Sequence, residues 1–156
     1  MARKQLGAGP SGSTDAATKG YVDGKIGTPT TATVATSEST SSTTYADLTT
    51  TTDSVTATVG ASGIVMVNVG ASISWSTSSV QTFIGVALSG ANTVAASDEF
   101  ALIARLYTNG TQPMLQINTV FLMTGLTPGS TTFKMKYKVG GNSNTFANRK
   151  ITVIPF

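Results

Sequence analysis

Cysteine and histidine are both absent from the 156 residues of this chain. Without Cys there is no disulfide framework, no thiolate zinc site and no thiol nucleophile. Without His the commonest general base and the commonest metal ligand are missing as well. Charge is scarce: Asp, Glu, Lys and Arg make up 11% of the chain against 40% hydrophobic residues, a charged share about half the usual one. No stretch approaches the ~18 consecutive apolar residues of a membrane span. Met1-Ala2-Arg3-Lys4-Gln5 is a basic start with no apolar segment behind it, so neither a secretory signal nor a membrane partner is expected, and synthesis in a cytoplasm is.

The polar surface comes instead from 28 Thr and 17 Ser. Thr is β-branched and fits a pleated, half-exposed surface, so a Thr-rich, charge-poor chain favours strands over helices. The length allows one domain with a real core, plus an arm. The C-terminal quarter fixes the class. Pro128-Gly129 is turn chemistry, and after it Phe133, Met135, Tyr137 and Val139 alternate with Lys134, Lys136 and Lys138. A period of two places the apolar set on one sheet face and the ammonium groups on the other. Gly140 to Asn144 makes a second turn, and a last strand carries Phe146, Ile151, Val153, Pro155 and Phe156. Turn, strand, turn and strand predict a closing hairpin.

Residues 1–43 differ from the rest. Met1 to Ser13 is expected as an extended arm; Thr14-Asp15 offers an N-cap for a short helix through Ala17, Tyr21 and Val22; Gly27 to Thr43 has the composition of a Thr/Ser-rich linker. From 44 to 156 the β pattern is continuous. Short strands are predicted over Thr44 to Leu48 and around Val55, Ala57 and Val59. The run from Ile64 through Trp75 is dense enough in apolar residues to predict burial on both faces. Val80 to Leu88 follows, then Phe100 to Tyr107, which Asn109-Gly110 should join as a hairpin to Met114–Met123. About eight strands at spacings near ten residues predict an all-β domain, a β-sandwich of jelly-roll type.

Candidates for chemistry are few. Of the seven acids only Asp98 and Glu99 are adjacent, and neighbours along a strand point to opposite faces. A glycosidase needs two carboxylates across a cleft. No calcium-loop template occurs, and no Ser–Lys spacing of the S-x-x-K kind. No enzyme, cofactor or metal is therefore expected. Beyond Leu126 five basic residues stand without an acid. Lys134, Lys136 and Lys138 are thus either an anion-facing patch or a solvated strand face. The latter is the plainer reading, because no phosphate-cradling loop or interleaved exposed aromatics accompany them, and no nucleic-acid partner is expected. Trp75 and Tyr107 are read as core or subunit-interface aromatics before sugar-stacking ones.

Two stretches carry a resemblance. Asp15-Ala16-Ala17-Thr18-Lys19-Gly20-Tyr21-Val22-Asp23 resembles the D-x-x-x-K-x-Y-V-D segment near the N-terminus of many structural proteins of tailed bacteriophages, minor tail and fibre proteins above all. Leu126 to Phe133 together with Asn148 to Pro155 is similar to the C-terminal knob of small virion proteins from phages of actinobacteria, jelly rolls that are often trimers like tumour-necrosis-factor-type heads. The resemblance implies a virion-surface location. It implies an arm, Arg3 to Ile26, that attaches to other virion proteins through Arg3, Lys4, Lys19, Tyr21, Val22 and Ile26, and a homotrimeric knob. The chain is short for a tail fibre and lacks heptads, which favours a capsid decoration protein. The Tyr-Val-Asp segment favours a minor tail protein, whose knob would bind a host-surface receptor or glycan.

Overall fold

A computed structural model of the protein describes residues 27–76, 80–107 and 113–156. These form nine strands: β1 (Thr30–Val34), β2 (Glu38–Thr40), β3 (Ser54–Val59), β4 (Val65–Trp75), β5 (Gln81–Gly90), β6 (Ala101–Arg105), β7 (Met114–Met123), β8 (Gly129–Val139) and β9 (Asn144–Pro155). They build two sheets. One runs β1-β9-β4-β7, with β2 pairing β9 beyond β1, and the other runs β3-β8-β5-β6. Every pairing is antiparallel. The protein is an all-β, two-sheet sandwich.

Period-two patterning explains each layer. On β8, Phe133, Met135, Tyr137 and Val139 are completely buried while the lysines between them stay half-buried on the far side. Val65, Val67, Val69 and Ile73 of β4 meet Ile84, Val86 and Leu88 of β5 and Ile151 and Val153 of β9 in one core. Each such side chain contributes roughly 1.5–3 kcal/mol of burial free energy. The Tyr137 and Phe146 rings cross edge-on at 4.9 Å and tie β8 to β9 through the core. Phe146 and Ile151 both face inward, although an odd spacing along a regular strand would put them on opposite faces. The pairing of β4 with β9 shifts register between Gly70 and Ser72, and Asn148 there takes φ 48°. One extra residue in β9 restores the inward face, and Asn tolerates the left-handed backbone this requires.

Three expectations differ from what is found. The predicted closing hairpin is not one: β8 pairs β3 and β5, whereas β9 pairs β1, β2 and β4, so Gly140 to Asn144 is a corner between sheets. The same holds for β6 and β7, which join β5 and β4 respectively; Asn109-Gly110 itself lies outside the described residues. Both segments are amphipathic strands, and period alone does not distinguish a neighbour in the same sheet from one across the core. The stretch expected as a linker enters the sandwich as β1 and β2, bonded to β9 from Thr30↔Val153 to Thr40↔Asn144. Thr and Ser suit an edge strand as well as a coil, and the alternating Ala32 and Val34 turn inward.

Two further details bear on function. Thr44 to Leu48 makes a single bridge, Ala46 to Tyr137, rather than a strand, and lays Tyr45 across the outside of β5. There Gly85 leaves room for the ring, since a Cβ on it would stand 2.7 Å from Tyr45 Cε1. The predicted burial of β4 on both faces is met fully on one and in part on the other, where Gly70 and Ser72 are buried. Its odd-numbered residues are buried, while Met66, Asn68 and Ser74 are half-buried on the outer face of the first sheet.

Candidate functional site

Arg3, Lys4, Lys19, Tyr21, Val22 and Ile26, and the expected short helix, lie outside the described residues. The lysine stripe is described, and it is not a bare cationic patch. Residues 44–47 run beside β8, with Ala46 bridging Tyr137 in the plane of the sheet, and the Asp47 side chain reaches over the outer face between Lys134 and Lys136, at 3.0 and 2.9 Å. Asp98 lies 2.5 Å from Lys138 and accepts a 2.8 Å hydrogen bond from Tyr45 Oη. The Lys138 ammonium also sits 4.1 Å from the Phe83 ring centroid and 4.7 Å from that of Tyr45. Burial pushes the Asp47 carboxyl up, but Lys136 and Lys134 outweigh it and hold the group below its ordinary value. Lys138 and then Tyr45 do the same for Asp98. Burial and the Asp98 charge push the Tyr45 phenol up. The face is internally compensated, so its capacity to attract an anion is reduced.

A second charged cluster, in the interior, was not apparent from the sequence. Arg149 is completely buried. Its Nη2 lies 2.6 Å from Glu38 Oε2 and donates to Thr50 O at 3.1 Å, and its Nη1 donates to Thr36 O at 3.2 Å. Nε lies 3.3 Å from Asp53 Oδ2, which also accepts the Tyr137 hydroxyl proton at 2.5 Å. Glu38 accepts from the Thr50 N–H at 2.8 Å. Burial raises the Asp53 carboxyl above its ordinary value, against the lowering pull of Tyr137 and Arg149. Burial also pushes Glu38 upward, but the Thr50 N–H and Arg149 prevail and leave it lowered. This cluster fastens β2 and residues 50–53 to β8 and β9. Its acids stand 111 and 96 positions from Arg149 in the chain, so no local spacing announces it.

The outer face of the first sheet is different. Gly70 has no side chain, and one would collide with Asn118 Cβ at 2.8 Å. Around it a trough of about 330 Å³ opens on β4, β7 and β9. Asn68, Gln116, Asn118, Thr152 and Lys150 line it at one side, and Met66, Val120 and Ile154 at the other. Ser72 donates to Gln116 Oε1 at 2.5 Å and accepts from Asn148 Nδ2 at 3.2 Å, which fixes the polar end. The apolar end continues into Leu122, which pairs with Met66, as Ile154 does from the other side. Of the two sequence-singled aromatics, Trp75 is core, and Tyr107 is exposed with its hydroxyl bonded to Arg105 Nη1 at 2.8 Å.

Fold and surfaces together define an antiparallel β-sandwich with one face that carries paired charges and one that is nearly uncharged. No protein-family model matches the chain, and no curated protein matches it in sequence.

Proposed function

We propose that this is a non-enzymatic structural protein of a tailed-bacteriophage virion, a trimeric decoration protein of jelly-roll fold that holds the outside of the capsid through the residues preceding Gly27. The observation that carries this reading is the strand order. β1/β2-β9-β4-β7 against β3-β8-β5-β6 is the order in which a chain of eight strands wound as two Greek keys fills two four-stranded sheets. That agrees with the fold the sequence resemblance implies. The charged groups support a structural role too: Glu38 and Asp53 are tied to Arg149, Asp47 to Lys134 and Lys136, and Asp98 to Lys138. Each holds one segment of the fold to another. The described sandwich begins at Gly27, whose N–H bonds Pro155 O at 2.8 Å at one end of the first sheet.

The test is gold-labelled antibody against this chain on intact particles, viewed by electron microscopy. Label over the heads is expected. Label confined to tails replaces this with the minor-tail reading, in which the knob binds a host-surface receptor or glycan. The amide-lined trough around Gly70 favours that second reading, since Asn and Gln side chains present both donors and acceptors to sugar hydroxyls. No label on either overturns both.

A further inference from the structure

We infer that the outer face of the first sheet, with edge strand β7, is the surface through which the protein binds a second copy of itself. The inference rests on the self-association in the reading above and adds where it takes place.

Three observations converge. First, one end of the face is apolar and open. Val120 and Leu122 are 51% and 52% exposed, and Met66 lies beside Leu122 with Ile154 on its far side. On the other sheet's outer face the Tyr45 and Asp47 side chains lie over the β8 lysines, while Thr56 and Thr58 of β3 stay exposed. Secondly, Lys150 is the one charged residue at the outward positions of β1, β2, β4, β7 and β9. Interface centres are depleted of charge in this way.

Thirdly, β7 is a ten-residue edge strand, Met-Leu-Gln-Ile-Asn-Thr-Val-Phe-Leu-Met, with neither charge nor proline. Among the described residues its ladder partner is β4 alone. It exposes apolar side chains on both faces, Met114 at 62% and Leu115 at 40%. Natural edges are blunted with Lys, Pro or a bulge because a bare one templates aggregation.

The occupant follows from these features. A bare edge and apolar face must be covered from synthesis onward, and the partner available then, in matching amount, is another copy of the chain. The face also offers too few charges to recruit a foreign protein by complementarity. Its size suffices: four strands at ~4.8 Å spacing and about ten residues at ~3.3 Å each give roughly 600 Å². With the β7 edge added this approaches the ~800 Å² per partner of a standard interface.

The experiment uses the full chain. Because it contains no Cys, a single thiol introduced by Val120→Cys reports cover at the face, and Thr58→Cys on the exposed side of β3 serves as control. Both are treated with a maleimide at micromolar and at nanomolar protein, beside sedimentation velocity of the wild type and of Leu122→Lys. Expected are an oligomeric wild type, a folded monomer for Leu122→Lys, and a Val120→Cys thiol reacting at least about tenfold more slowly than the control, with the difference lost on dilution. Should Leu122→Lys fail to fold, the labelling alone decides.

An oligomer in which the Val120→Cys thiol reacts like the control overturns the surface assignment and leaves self-association standing. A monomeric wild type overturns both, while virion location is tested separately by the gold label. Protection in a monomer at every concentration places the chain's own residues 1–26 on the face and overturns the inference. Protection conferred only by added host polysaccharide overturns it in favour of the glycan reading.

Discussion

Replacing Arg149 with Met removes the buried cation that faces Glu38 and Asp53 and leaves the buried Asp53 and the partly exposed Glu38 without their counter-charge. Met retains much of the side-chain length and its apolar bulk, so the loss is electrostatic more than steric. Removing one partner of a buried ion pair costs about 3–5 kcal/mol, because the remaining charge has lost its water and gained nothing. Arg149 also donates to the carbonyls of Thr36 and Thr50, which lose their donor. At roughly 3–4 °C per kcal/mol for a domain of this size, the thermal midpoint of Arg149→Met falls by about 10–20 °C. Circular dichroism melts or urea titration measure it.

The triple change Arg149→Met, Glu38→Gln, Asp53→Asn is the discriminating control. The amides that replace the two carboxylates can still accept the Thr50 N–H and the Tyr137 hydroxyl, and neither leaves a buried charge. The triple variant should recover most of the loss, since neutral replacements of a whole buried network are often tolerated. A single variant within about 1 kcal/mol of wild type would refute the account of the cluster as a charge-balanced clamp. A triple variant no better than the single would show that the loss was packing.

Glu38→Gln alone should flatten the acid limb of stability. The Glu38 carboxyl is held below its ordinary 4.5 in the folded protein, so its contribution is complete above that value and is lost as pH falls through the folded pKa. Asp53, raised by burial, acts with the opposite sign and offsets part of the loss. Melts of wild type and Glu38→Gln between about pH 6 and pH 3 should therefore converge as pH falls; parallel curves contradict this. Gly85→Ala places a methyl 2.7 Å from Tyr45 Cε1 and should cost about 1–3 kcal/mol as overpacking. Most of that should vanish in a Tyr45→Ala background, which a double-mutant cycle in urea would measure.

The strands were legible where side-chain alternation was strict. Ser54–Val59 and the lysine-bearing strand β8 follow directly from period two, because burial on one face leaves no other register. Partners were not legible. Asn109-Gly110 and Gly140-Gly141-Asn142 look like hairpin turns, yet the strands on either side of each belong to opposite sheets. A turn's local chemistry limits how sharply the chain reverses and does not determine whether the next strand hydrogen-bonds or crosses the core. β1 and β2 were hidden because Thr30 to Thr40 is almost wholly small and polar; their place comes from the long ladder of β9. The Arg149 cluster was invisible for another reason: its members arrive from separate strands and from two separate loops. Ile64 to Trp75 looked apolar enough for burial on both sides, but its apolar residues fall almost all on the inward, odd-numbered positions, and outward stand Met66, Asn68, Gly70, Ser72 and Ser74.

The position of β9 has a consequence for how the protein is made. It lies between β1 and β4 in its sheet, and β8 lies between β3 and β5 in the other. Both central strands are therefore synthesised after the strands they join. A nascent chain that has not reached Asn144 holds four segments of the first sheet with the middle of their ladder absent, and one that has not reached Gly129 lacks the middle of both sheets. Folding must wait for these late, non-local pairings, which are slow to form and leave edges exposed meanwhile. Chains that stop before Asn144 consequently lack the strand that joins β1, β2 and β4 and cannot close the first sheet.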